Sequence, residues 1–252
     1  MRKLALLATA LFAVLAMATT AVAQTTGYNV TGSTSPAKAG SKSKPVPVGL
    51  KFGLEAESGA NRPTTARQFR LEVEGLKTNG KHFATCTASA INNAGDDNGC
   101  KKSAIIGSGV VNNLAGATAN QADASITCNL AVTMYNAGQN RVAIYLEGGP
   151  SGFAQTCVLP LAVALDARWV KAGSNLALQF DIASTLQNPV TGISNAIKRI
   201  NVSIKKMTAK VKGKKVGYAE VVGCTGGSRD LKVITTSASD DSKTTGEATA
   251  SC

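Results

Sequence analysis

The sequence predicts an all-β fold, a single disulfide-stapled β-sandwich or jelly-roll-like domain. Three observations predict it. Apolar residues recur at every second position in short runs, a period that a strand gathers on one face and a helix would scatter. Clusters of Gly, Pro, Asn, Asp and Ser separate these runs at hairpin-like spacing. The six cysteines, even in number and containing no C-x-x-C, suit an oxidising compartment better than a metal site.

Residues 1–23 read as a cleavable signal peptide. Arg2 and Lys3 form a charged start, an apolar run extends from Leu4 to Met17, and the small-residue site Ala21-Val22-Ala23 precedes Gln24. The apolar run falls short of the roughly 20 residues that span a bilayer as a helix. No cysteine follows the cleavage site to carry a lipid anchor, and no later run approaches spanning length. The expectation is a secreted protein, extracellular or cell-wall associated, with no transmembrane span.

Residues 24–44 read as a polar leader rich in Thr, Ser, Gly and Lys, with one edge strand around Tyr28–Thr31. The β-sandwich domain is expected over 45–252. In its first strand Val46, Val48, Leu50, Phe52 and Leu54 alternate with Pro45, Pro47, Gly49, Lys51 and Gly53, and the prolines place that strand at an edge. Phe69, Leu71 and Val73 alternate with Gln68, Arg70, Glu72 and Glu74. Ile126, Cys128, Leu130, Val132 and Met134 share one parity, and Val142, Ile144 and Leu146 follow the turn Ala137-Gly138-Gln139-Asn140.

Further strands are expected at Cys157–Leu165, Leu176–Ile182 and Ile200–Ile204, then a lysine-rich hairpin centred on Gly213 returning towards Val222. Residues 229–236 and the last few before Cys252 close the sheet. Helix is limited to short turns at Thr87–Ile91 and Gly192–Ala196.

Six cysteines allow fifteen pairings, and sequence does not choose among them. The simplest set is sequential: Cys86 with Cys100, Cys128 with Cys157, Cys224 with Cys252. The first closes a loop of about 15 residues, for which the chain-entropy model gives on the order of 3 kcal/mol. Cys128 and Cys157 both fall on the apolar parity of their strands. In a simple meander they would lie two strands apart, about 9–10 Å, which is too far to bridge. Their pairing therefore requires the chain to cross between sheets near 148–155.

The charge of +12 becomes +10 when Arg2 and Lys3 leave with the signal segment. A basic protein outside the cell meets anionic wall polymers and other polyanions. Lys198, Arg199, Lys205, Lys206, Lys210, Lys212, Lys214 and Lys215 fall within 198–215 with no acid among them. Lys205, Lys206, Lys210, Lys212, Lys214 and Lys215 are the candidate anion-binding residues, with Lys210, Lys212 and Lys214 on one strand face. The competing reading is protection of an exposed strand from pairing with neighbours. A single tryptophan, Trp169, and few other aromatics argue against a sugar-stacking lectin or a single-stranded nucleic-acid platform.

Catalytic chemistry finds little footing. Gly149-Pro150-Ser151-Gly152 and Gly107-Ser108-Gly109 lack a nucleophile context, and His82 stands beside Lys81 with no partner nearby in sequence. Glu72 and Glu74 share a strand face, as do Glu55 and Glu57, but Gln68 and Arg70 mark the first of these as a solvated face. Asp96-Asp97-Asn98-Gly99 lacks the alternating spacing of a calcium loop and suits a tight turn. No metal or cofactor is expected. The function expected is a secreted non-catalytic extracellular or cell-envelope binding or structural module, and the alternative is a secreted polysaccharide hydrolase with an unlocated site.

The chain resembles a group of exported, uncharacterised all-β proteins of high-GC Gram-positive bacteria. The likeness rests on Ser35-Pro36, Lys38-Ala39-Gly40, Lys44-Pro45, the spacing Cys86 to Cys100, Ser108-Gly109, and the closing Cys224 and Cys252. Lys101 stands where such proteins often carry proline, and the pair Cys128 and Cys157 is additional. The resemblance implies export and a sandwich-like fold and carries over no function.

Overall fold

The computed structural model describes residues 26–252. The signal peptide expected at 1–23 lies outside the described residues. The first five strands are β1 (Tyr28–Ser35), β2 (Val46–Pro47), β3 (Gly49–Ala56), β4 (Ala66–Val73) and β5 (Leu76–Thr78). After a helix α1 (Ala88–Ala94) come β6 (Ile105–Ala117), β7 (Ile126–Asn136), β8 (Arg141–Gly148), β9 (Leu161–Ala172) and β10 (Asn175–Asp181). A short helix α2 (Ser184–Gln187) precedes β11 (Ile193–Ile204), β12 (Thr208–Val211), β13 (Lys214–Gly217), β14 (Ala219–Val221), β15 (Ser228–Ser237) and β16 (Lys243–Ser251).

Eleven strands form one sheet in the order β1-β3-β11-β6-β7-β8-β9-β10-β4-β15-β16, and every ladder in it is antiparallel. Its two end strands lie against one another, so the sheet is rolled with its halves facing across the core. The seam is close. A Cβ at Gly246 would come within 2.7 Å of Val30 Cγ2 and 2.8 Å of Tyr28 O, so only glycine lets β16 approach β1. Lower along the seam Thr34 Oγ1 donates to Ser251 O at 3.5 Å. The all-β, disulfide-bonded fold read from the sequence is therefore the fold observed.

Because strands alternate direction, the roll has two ends. At one, the mouth, β6 turns into β7 and β8 into β9. At the other, the base, β7 turns into β8 and β9 into β10. A small sheet ordered β2-β14-β5 lies at the base, burying Val48, Leu76, Tyr218, Ala219 and Val221. Trp169 Nε1 donates to Tyr218 Oη at 3.3 Å, and the rings of Phe83 and Tyr218 meet edge to face at 5.6 Å. Burial pushes the Tyr218 hydroxyl up to about 12. Arg229, fully buried, donates through Nη1 to the carbonyls of Glu74 and Gly223, tying two base connections together.

Several sequence expectations need correction. The first strand is split: Val46–Pro47 form β2, at an edge of the small sheet as the prolines imply, whereas β3 begins at Gly49 and lies between β1 and β11 in the large sheet. Gly192–Ala196 opens β11, where its residues pair with Gly116, Ala115 and Leu114, and the helical turn sits earlier, at Ser184–Gln187. The edge strand expected at Tyr28–Thr31 extends to Ser35. The turn of helix expected at Thr87–Ile91 is α1, with Thr87 Oγ1 accepting from Ala90 N at 3.2 Å. This helix covers the outer face of β8 and β9, where Ile91, Ala143, Tyr145 and Ala164 form a second small core.

The three disulfides are sequential: Cys86–Cys100, Cys128–Cys157 and Cys224–Cys252. The chain does not cross between sheets to form the second. After β8 ends at Gly148, residues up to Cys157 double back and continue the lane of β8 beside β7. Asn129 N donates to Thr156 O at 2.8 Å, and Cys128 and Cys157 face one another as a bridge.

Candidate functional site

The inner face of the roll is filled in its base half and hollow in its mouth half. A cavity of about 730 Å³ opens at the mouth and reaches down the roll as far as Met134 and Val202, within the roughly 300–1,000 Å³ usual for small-molecule sites. It exists because inward positions near the mouth carry short side chains, Ala66 and Ala115 among them, where the base half has Trp169 and Tyr218. Leu130, Val132, Ile144, Leu146, Phe180 and Ile200 supply much of its wall.

Two connections border the opening. Residues 149–160 are held to β7 by the Cys128–Cys157 bond, and both sulfur-bearing residues reach the cavity wall. Residues 182–192 contain α2, whose Leu186 carbonyl accepts from Asn195 Nδ2 at 3.0 Å. Val158, Leu159 and Val190 lie on these connections, line the cavity and are 65%, 52% and 49% exposed. The fourth large exposed apolar residue, Phe153, belongs to the same end, its ring lying over Gly149. The apolar surface of the cavity thus continues outward onto its rim.

Polar groups in the wall are few. Asn113 and Asn195 stand on inward positions of β6 and β11, Thr185 comes from α2, and Arg70, the one charged residue among the described residues of the wall, stands on the outward parity of β4. Arg70 Nε is occupied by Glu72 Oε1 at 2.8 Å. Burial outside the cavity also has a mouth-end anchor: Arg62, 3% exposed, donates to the carbonyls of Asp123 and Ala117 at 2.9 and 3.0 Å. The Asp123 carboxylate accepts from Ala117 N and Ser125 N, and these bonds hold it below the ordinary carboxylate range.

The structure places the candidate lysines far from the cavity. Lys205, Lys206, Lys210, Lys212, Lys214 and Lys215 are all exposed at the base, on and beside the β12–β13 hairpin. Its turn is Lys212-Gly213, both at positive φ (47° and 76°). The expected face is corrected by this turn: Lys210 pairs with Lys215 and Val211 with Lys214, so Lys210 and Lys215 share a side and Lys214 lies on the other. None of the six forms a salt bridge among the described residues. Exposed Lys38, Lys42, Lys44, Lys77, Lys81 and Lys171 lie at the same end, a concentration that the sequence, read as one hairpin, did not disclose.

The remaining candidates are accounted for locally. Glu72 is bonded to Arg70, and Glu74 accepts from Thr225 Oγ1 at 2.5 Å and Asp230 N at 3.1 Å, which lowers its pKa. Glu55 pairs with Arg199 at 2.6 Å. His82 closes a 3₁₀ turn and is half-buried. Asp96 Oδ1 accepts from Asn98 N at 3.0 Å, the local turn chemistry expected, and Asp97 accepts from Tyr135 Oη at 2.5 Å.

No family model matches this chain, and no curated protein or solved structure is significantly similar to it. The cavity escaped sequence reasoning because an inward alanine or leucine reads the same whether it packs against a neighbour or faces a void. The strand expected at Cys157–Leu165 begins instead at Leu161, which leaves Val158 and Leu159 exposed on the connection before it.

Proposed function

We propose that the chain is a non-catalytic binding module of the extracellular or cell-envelope space that takes an apolar small molecule into the mouth-half cavity. One observation carries this reading: an apolar cavity of about 730 Å³ opens between connections that expose Val158, Leu159 and Val190 to solvent. Leaving such side chains in water is unfavourable by roughly 25 cal/mol per Å² of apolar surface, and an apolar guest relieves that at the wall and at the rim together. Three disulfides suit work in an oxidising compartment.

The test is titration of the purified, delipidated protein with N-phenylnaphthylamine, an uncharged dye that brightens in apolar surroundings. Saturable binding is expected, and Ala115→Phe, which places a ring in the void, should abolish it while thermal unfolding stays cooperative. Dye binding unchanged by Ala115→Phe and by Leu146→Trp would refute the site.

A second reading is favoured by the basic base. Twelve exposed lysines at one end (the six around the β12–β13 hairpin and Lys38, Lys42, Lys44, Lys77, Lys81 and Lys171) form a surface suited to an anionic polymer such as a cell-wall polyanion. Retention on an anionic wall preparation should weaken steeply with salt and be lost on charge reversal of Lys210, Lys212, Lys214 and Lys215. Salt-insensitive retention would discard it. The two readings are compatible, because the basic end leaves the mouth facing away.

A further inference from the structure

Among the described residues the large apolar side chains left exposed are Phe153, Val158, Leu159 and Val190, and all four stand on the two connections that border the opening. Connection 149–160 leaves β8 beside β7. Connection 182–192 runs from β10 to β11, which have four strands between them, so it crosses the opening. No Asp, Glu, Lys or Arg occurs in 148–165 or in 182–197.

The backbone of these connections is also sparing with free donors. Pro150, Pro160 and Pro189 present no N–H. Phe153 N donates to Pro150 O, Cys157 N to Gly149 O, and Leu186 N and Gln187 N to Ala183 O, all within their own connection. A segment that leaves water for acyl chains needs both features, because a charge or an unpaired N–H is costly there.

A second copy of this chain fits the rim less well. The other mouth connections, 57–65, 118–125 and 238–242, carry Glu57, Asp123, Asp240 and Asp241 against Arg62, which is buried. Mouth-to-mouth pairing would bring these acids together. The same acids suit a zwitterionic surface better than an anionic one, and the lysines face away at the base.

Resting on the reading of the cavity as a site for an apolar molecule, we infer that the mouth docks on a surface of zwitterionic lipid, from which that molecule enters without crossing water. Phe153, Val158, Leu159 and Val190 reach the acyl boundary, and the acidic connections stay among the head groups. The apolar surface is then continuous from the lipid, over the rim, to the cavity wall.

The test is flotation of the purified protein with phosphatidylcholine vesicles in about 1 M sodium chloride, where the Debye length falls to about 3 Å. The protein is expected to float with the vesicles, and charge reversal of Lys210, Lys212, Lys214 and Lys215 should not change this. Phe153→Asp, outside the cavity wall, should lower the ratio of vesicle-bound to free protein about tenfold, the scale of one lost aromatic side chain, while N-phenylnaphthylamine binding stays unchanged. Ala115→Phe should do the reverse, abolishing dye binding and leaving flotation intact. Saturable dye binding without flotation, or flotation that both Phe153→Asp and Val158→Asp leave unchanged, overturns the inference and leaves the cavity reading standing. Rim-dependent dimers in sedimentation, in place of flotation, would assign the rim to a second copy and overturn it equally. Failure of the dye to bind while the vesicles still carry the protein overturns the cavity reading and leaves the docking.

Discussion

The base and mouth halves of the roll are built from the same strands, yet one is solid and the other hollow. In the base half Ile106, Val142, Ala167, Trp169 and Tyr218 are all but excluded from solvent, and the small β2-β14-β5 sheet covers them. In the mouth half the same strands continue with Ala115, Leu130 and Leu146 around a void, and loops cover the opening. The difference teaches that a strand's alternation fixes which side chains face inward but not whether they meet. What lies across the roll, and what closes its end, decides that.

This contrast can be broken by matched substitutions. The largest effect is expected for Trp169→Ala, which opens a hole in the packed half and should lower stability by about 3–5 kcal/mol in denaturant unfolding. Leu146→Ala should fall at or below the lower end of the usual range, about 2 kcal/mol, because its side chain already borders a void. Equal losses would mean that the mouth half is packed in solution.

The disulfides sharpen the comparison. Cys128–Cys157 at the mouth and Cys224–Cys252 at the base span nearly equal loops, with sequence separations of 29 and 28. The chain-entropy model gives each about 3.5 kcal/mol. Double serine variants should therefore melt alike, whereas only the mouth pair should alter dye binding. Ligand affinity that responds equally to both would tie the cavity to the whole fold.

Filling works in the opposite sense. Ala167→Leu pushes a larger side chain into the closed half and should destabilise by about 1–3 kcal/mol. Ala115→Leu extends into the cavity and should leave the melting temperature almost unchanged while weakening the dye. A melting temperature that drops equally in both would again erase the distinction.

Acid has the smallest and most evenly shared effect. Glu74 at the base is held below its ordinary 4.5, first by the Thr225 hydroxyl and then by the Asp230 amide. Asp123 at the mouth is held below its ordinary 3.8, first by the Ala117 amide. A depressed native pKa means that the unfolded chain binds more protons, so both contributions are present above those ordinary values and fade as pH falls through the native ones. Glu74→Gln and Asp123→Asn should each flatten the fall of unfolding midpoint between pH 5 and 3, measured by circular dichroism. An unchanged slope in either variant would show that its carboxylate is not part of the acid response.

Much of the fold was legible because alternation is a local property. Ile126 to Met134 and Val142 to Leu146 share the parities the sequence assigned, and β15 and β16 close the sheet where expected. The longest strand, β6, was not legible. Gly107, Gly109 and Gly116 with Asn112 and Asn113 interrupt its apolar alternation, but the glycines permit the close approach of β6 to neighbouring backbone, as at the Ser203 and Asn201 carbonyls of β11. The hairpin lysines were visible as a run, and their true faces depended on a reversal at Lys212-Gly213 that strand parity does not convey.

By itself the sequence determined the fold class, the simplest cysteine pairing as a candidate, and a basic segment near 205–215, because periodicity, parity and charge are carried by residues close along the chain. The tertiary structure decided that the sheet rolls until β1 meets β16, that Cys157 returns to β7 without changing sheets, and that lysines from five connections or strand ends gather at the base. It also decided that an apolar face encloses a cavity. These depend on distances between residues far apart in the chain, and such distances are set only when the roll closes.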